Sequence, residues 1–215
     1  MEILSYPLFK NITETEYNQI LLLKCAREVT YEKNQIIFHT GDITDELGLI
    51  SEGTINIESN DFWGNKSILN NASKGQVFAE TYALCSVPLM VDVTAMEKTT
   101  VLFFNLKILL SQENSKYPWQ TRLMHNLLML SSNKNLVLSN RIFCTSPKHI
   151  RSRVMTYLSS QAVKHSNNNI TIPFNRQQMA DYLNVERTAL SKELSRMKKD
   201  GIIDYWKNSF KLYNE

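Results

Sequence analysis

Along the first hundred residues, apolar side chains arrive in short bursts separated by glycine-marked turns. Residues 35–39 lead into Thr40-Gly41-Asp42, residues 47–50 lead into Ser51-Glu52-Gly53, and residues 54–58 alternate strictly between polar and apolar. Residues 66–69, 91–95 and 100–104 repeat the theme. A period of two predicts strands, and short strands between turns predict a small antiparallel, jelly-roll-like β-roll.

From Pro118 the period lengthens to that of a helix reaching about Phe143, with proline suited to its first turn. Leu123, Leu127, Leu130 and Val137 form a near-heptad stripe interrupted by Lys134, while Met124, Leu128 and Leu136 make a second apolar face. A helix apolar on two sides needs two partners, which predicts a homodimer with that stripe as its seam. Thr145-Ser146-Pro147 marks a hinge, because proline disfavours helix at the residue before it. The expected class is α+β, with a β-roll domain at 1–116, a long dimerisation helix and hinge at 117–144, and a winged helix-turn-helix at 145–215.

The last segment carries the most chemistry. Asn175 can cap a first short helix whose Met179, Tyr182 and Leu183 recur at helical spacing, with small Ala180 where two helices would cross. Asn184 stands at the turn, and asparagine tolerates a left-handed backbone. A second helix over 186–199 would bury Leu190, Leu194 and Met197 and end at Gly201. Its opening turns expose Glu186, Arg187, Thr188, Ser191 and Lys192, which have the reach and donors for phosphates and base edges. Residues 202–206 and 209–213 read as two strands around Lys207-Asn208, forming a wing, and Asn167-Asn168-Asn169 reads as a polar loop.

A solvated helical hairpin would show the same pattern, and charge separates the two readings. Residues 145–215 hold twelve Lys+Arg against six Asp+Glu, whereas residues 1–144 hold twelve against fifteen. The basic excess sits on the segment with the helix-turn-helix pattern, as a double-stranded DNA partner requires. Arg187 and Lys192 are expected on guanine or phosphate, Thr188 and Ser191 as secondary base readers, and Arg176, Arg196 and Lys211 along the phosphate backbone.

At 215 residues the chain can hold two modest domains, and 43% hydrophobic with 21% charged residues is a globular balance. No apolar run follows a basic start or approaches a bilayer span, so a cytoplasmic location without membrane partners is expected. Cys25, Cys85 and Cys144 are odd in number and widely spaced, against a disulfide framework or a cysteine metal site. No glycine-rich phosphate loop, metalloprotease motif or nucleophile elbow is present, and four histidines offer no acid–base pair, so no catalytic residue is assigned and no enzyme expected.

Further signals are Ile37-Phe38 before Gly41-Asp42, Gly53 closing a strand turn, and Gly75-Gln76-Val77-Phe78-Ala79-Glu80. In that order, and followed by the helix-turn-helix, the chain resembles the CRP/FNR superfamily of bacterial transcription regulators along essentially its full length. The resemblance implies a cyclic-nucleotide-binding-like sensor domain and a homodimer on a pseudo-palindromic operator. It implies RNA polymerase as a further partner if the protein activates. It also exposes departures. Where the family's nucleotide binders carry an Arg-Ser pair, this chain has Leu89-Met90 or Met90-Val91, and the family glycine before the glutamate is Ala79. The glutamate that commonly reads a cytosine edge falls on Thr188, which puts the usual half-site sequence in question.

The effector is left open. Phe78, Glu80, Leu84, Leu89, Met90 and Val91, with Ser131 and Ser132 of the long helix, are the pocket candidates, and their apolar character suits a small organic molecule. Haem on His39 or His125 is disfavoured because a lone histidine is more often a hydrogen-bonded surface residue. An iron–sulfur centre lacks its cysteine cluster, and control by expression level alone is a further alternative. A regulatory subunit acting on another protein would share the roll but have no use for the basic winged helix. Burying a cyclic phosphate without its guanidinium leaves an uncompensated charge, a cost of several kcal/mol. Titration calorimetry with cAMP should therefore show no micromolar binding.

Overall fold

The computed structural model describes residues 2–60 and 66–213. In chain order the elements are α1 (Glu14–Leu22), β1 (Ala26–Tyr31), β2 (Ile36–Phe38), β3 (Glu46–Glu52), β4 (Thr54–Asn60), β5 (Lys66–Ser73), β6 (Val77–Phe78), α2 (Glu80–Cys85), β7 (Asp92–Ala95), β8 (Thr99–Asn105) and α3 (Leu106–Leu109). Then follow α4 (Pro118–Thr145), α5 (Ile150–His165), β9 (Asn169–Thr171), α6 (Arg176–Tyr182), α7 (Arg187–Lys199), β10 (Ile203–Trp206) and β11 (Ser209–Leu212). The class is α+β. The described residues form two compact units, Met1–Ser132 and Asn133–Glu215, with α4 contributing residues to both.

The first unit is built on two four-stranded antiparallel sheets, ordered β1-β8-β3-β6 and β2-β7-β4-β5. Alternation decides which face is which. Ile55 and Val93 join Ile50, Val101, Phe103 and Phe78 in one core, while their neighbours Asn56, Glu58, Asp92 and Thr94 lie on the opposite face of β4 and β7. Gly48 is required by that packing, because a Cβ there would lie 2.3 Å from the Phe78 ring. β1, β6 and α1 escape the reading from hydrophobic pattern alone; β1 (AREVTY) is half polar, with Arg27 and Glu28 breaking its alternation, and β6 spans only two residues.

The stripe on α4 has a different destination from the one the sequence suggested. Leu123 and Leu127, 1% and 3% exposed, pack with Trp119 against Leu8, Phe9, Tyr17, Leu106 and Leu109, and Leu130 lies against the same core. The side chains of Asn126 and Gln120 reinforce this placement by donating to Leu8 O and Lys10 O, and to Leu109 O and Ser111 O. Of the four seam residues, Val137 alone is left exposed, at 65%. The seam is therefore corrected. Other apolar side chains of α4 stay exposed, Met124 and Leu128 in the first unit and Leu136, Val137, Leu138, Ile142 and Phe143 in the second, where three consecutive ones point in different directions. Helical spacing identified an apolar face correctly; which side the roll would claim depends on residues far away in sequence.

In the second unit α5, α6 and α7 pack around Val154, Tyr157, Leu158, Met179, Leu183, Leu190, Leu194 and Met197, closed by a three-stranded sheet ordered β10-β11-β9. The wing strands are each one residue shorter than the sequence pattern suggested, and the polar stretch 167–169 ends inside β9.

Truncating Leu123 to alanine should lower the unfolding free energy in urea by about 2–5 kcal/mol, the range for a fully packed leucine. Leu128→Ala, at high dilution, should stay within about 0.5 kcal/mol of the unmutated protein, because its side chain is 64% exposed.

Candidate nucleic-acid interface

Local chemistry specifies both helices of the motif. Asn175 caps α6 by accepting from Gln178 N, and the Gln178 side chain accepts in return from Asn175 N, a reciprocal capping box. The chain leaves α6 through Asn184 at φ 51°, the left-handed conformation its side chain tolerates. Val185 N then donates to Ala180 O, closing the turn.

Glu186 does not extend the second helix of the motif; it is the cap. Its carboxylate accepts from Thr188 N at 2.8 Å and Ala189 N at 2.7 Å, and α7 begins at Arg187. Hydrogen bonding from the Thr188 side chain, and then from the Thr188 and Ala189 backbone N–H groups, holds the carboxyl below its ordinary 4.5. An exposed acid at the positive end of a helix is favourable for the helix, but it occupies the donors that a phosphate would otherwise use.

Leu190, Leu194 and Met197 are fully buried beneath α7. The opposite face therefore points outward, and there Thr188 and Lys192 are exposed, with Ser191 half-buried at its edge; Arg187 is exposed in the first turn, three residues before Leu190. Arg187 and Lys192 form no hydrogen bond or salt bridge among the described residues, which leaves their donors available. Ser195 and Lys199, one and two turns further along, are exposed on the same side and extend the polar row beyond the residues picked from sequence. The repeat Thr188–Lys192–Ser195–Lys199 at spacings of three and four was the signal for them.

The other basic candidates separate. Arg176 is half-buried: its guanidinium lies 5.1 Å from the Tyr205 ring and 5.8 Å from the Phe210 ring, with Nη2 donating to Lys207 O. It fastens α6 to the wing and is already engaged with rings and backbone. Burial also draws its pKa below the ordinary arginine value. Arg196 is exposed but lies 3.6 Å from the Glu193 carboxylate, and Lys211 is exposed above the Tyr213 ring. Lys207 and Trp206, exposed at the wing turn, went unassigned in the sequence.

The effector candidates do not converge on one lining. Phe78, Leu89 and Val91 are buried hydrophobics and Glu80 is buried at the start of α2, whereas Leu84 and Met90 are 47% and 77% exposed. Ser131 is half-buried and Ser132 exposed on α4. Leu84 was read as inward from its apolar character, yet α2 is only six residues long and presents Ala83 to the core instead. Among the described residues no group of His, Cys, Asp and Glu could hold a metal ion, and no helix is long and apolar enough to cross a membrane.

A cyclic nucleotide-binding domain profile matches residues 28–112 and a Crp-like helix-turn-helix domain profile matches residues 152–214. Among solved structures, OCPA-complexed CprK is similar at 17% identity and a TM-score of 0.64, covering 94% of this chain and 90% of that one. DNR from Pseudomonas aeruginosa is similar at 20% identity and a TM-score of 0.50, covering 100% and 93%. The Thermus thermophilus catabolite activator protein matches at 17% and 0.50, covering 96% and 93%. At such identities the likeness carries the fold. No curated protein matches the chain significantly.

The cap at Glu186 gives a pH prediction. Its folded pKa is depressed, so its contribution is present above the ordinary value of 4.5 and is lost as pH falls through the lower folded value. Amide exchange at Thr188 and Ala189 should accelerate on acidification through that window, beyond the intrinsic pH trend, and Glu186→Gln should flatten the response.

Proposed function

Because the chain belongs to the CRP/FNR superfamily of DNA-binding transcription regulators, we propose that it acts as a homodimer on a pseudo-palindromic operator, under an effector other than cAMP. The observation that carries this reading is the exposed pair Thr188 and Lys192 on α7, set opposite three fully buried side chains, with Arg187 exposed at the start of the same helix. An α-helix presenting one polar, cationic face fits the major groove, where Arg187 and Lys192 would engage guanine or phosphate and Thr188 and Ser191 would offer hydroxyls to base edges. Arg196 and Lys211 suit backbone contacts.

The exposed apolar side chains of α4 support the dimer. Leu128, Leu136, Val137 and Phe143 are too large and too exposed to be explained as scattered surface residues, and a symmetric copy of the same helix would cover them. A twofold pair sets two reading helices about 34 Å apart, one turn of duplex, to enter successive major grooves. The division into a roll sensor at 1–116, a dimer helix at 117–144 and a DNA-binding domain at 145–215 belongs to the same proposal. The position where nucleotide-binding relatives carry an arginine is apolar here, which supports an organic effector over a cyclic nucleotide; Phe78, Glu80, Leu89 and Val91 remain its candidate contacts. Such a protein works in the cytoplasm, catalyses nothing itself, and meets RNA polymerase if it activates.

Selection of operators from random duplex, followed by binding at moderate salt, tests the reading. Arg187→Ala should weaken the selected operator by about 1–3 kcal/mol and relax preference at one base position per half-site. Equal affinity of the unmutated protein for every sequence would defeat it.

A further inference from the structure

Arg153, on α5, has no carboxylate partner among the described residues. Its guanidinium donates instead to three backbone carbonyls: Nε to Pro147 O at 2.7 Å, and Nη1 to Leu183 O at 3.1 Å and Asn184 O at 2.8 Å. Pro147 lies in the connection between α4 and α5. Leu183 and Asn184 form the exit from α6, where the chain turns left-handed before α7.

The carbonyls at the end of a helix have no intrahelical partner, and a cation there also meets the negative end of the helix dipole. Arg141 completes the arrangement by donating to Asp181 O, and Asn140 donates to the Tyr182 hydroxyl, so the last turns of α4 hold the same end of α6. Only a planar fork with several fixed donors can span two separate segments in this way; a lysine ammonium is a single point on a flexible stem.

We propose that Arg153 is a positioning residue for DNA recognition: it ties the connection after α4 to the turn that launches α7, and so fixes how Arg187 and Thr188 meet the duplex, without touching DNA itself. The proposal rests on α7 being the reading helix.

Two variants of the full chain test it, Arg153→Lys and Arg153→Gln, in operator binding across a salt series and in amide exchange without DNA. Both should bind the operator roughly tenfold more weakly, the scale of one lost charged hydrogen bond. Both should exchange the amides of Asn184 and Val185 faster. The dependence of log affinity on log salt should keep its slope in Arg153→Gln, whereas Lys192→Ala, at a proposed phosphate contact, should reduce it by about one. A slope reduced by about one in Arg153→Gln would make the residue a phosphate ligand and overturn the proposal. So would amide exchange unchanged in the variants, or unchanged operator affinity. Should Arg153→Gln fail to fold, affinity and exchange in Arg153→Lys decide. Absence of any operator preference in the unmutated protein would defeat the reading helix itself, while exchange would still report separately on the clamp.

Discussion

The geometry of the DNA-binding unit depends on the burial of one stripe, Leu190, Leu194 and Met197, beneath α7. Each such side chain contributes about 1.5–3 kcal/mol when removed from water. The stripe meets Val154 and Leu158 of α5, Met179 and Ala180 of α6, and Ile203 and Phe210 of the wing, so it fixes the rotation of α7 about its own axis. With the rotation fixed, a period of 3.6 leaves Thr188, Lys192, Ser195 and Lys199 no direction but outward. The reading face is therefore a consequence of the core: it is set before any ligand arrives, and it can be aimed only by moving the body beneath it.

Backbone accounting around the turn has a second consequence. Glu186 satisfies the first free donors of α7, while Arg153 and Arg141 satisfy carbonyls at the end of α6. Neither helix end thus needs an external ion to complete its hydrogen bonding. A helix start that already holds a carboxylate offers little to a phosphate, so on the proposed reading the attraction for DNA comes from the side-chain cations of α7 and the wing. The segregation of basic residues into 145–215 follows from the same need.

How much of this was legible in the sequence depended on the range of the interaction responsible. Asn175, Asn184 and Gly201 announced a cap, a left-handed turn and a helix stop because each acts on its immediate neighbours, and the structure has φ of 51° and 75° at the last two. The buried triad of α7 was legible for the same reason, being local periodicity. Helix α5 went unread, although the spacing of Val154, Tyr157 and Leu158, all buried, is the same kind of local signal. Arg176 and Arg153 were not, since nothing local distinguishes an arginine that binds carbonyls or rings across the fold from one that waits for phosphate. Leu123 and Leu127 went astray for the related reason that a helix with two apolar faces does not say which face the rest of the chain will take.

The roll shows how a departure from family pattern can be read physically. Ala79 sits at φ 62°, a left-handed conformation that costs a residue with a Cβ about 1–2 kcal/mol and that glycine adopts freely. The strain persists because its neighbours leave no alternative. Phe78 pairs with Gly48 across β6 and β3, its ring filling the space that a Cβ at Gly48 would need, and Ala83 N donates back to Ala79 O to start α2. A strained start held by packing on both sides keeps α2 in place through the roll's own core. The geometry of this part of the roll is thus enforced by close packing, and Leu89 and Val91, which follow α2 in the chain, are buried as well. Under the proposed reading, an effector acting through the roll would gain its affinity from apolar contacts such as Leu89 and Val91.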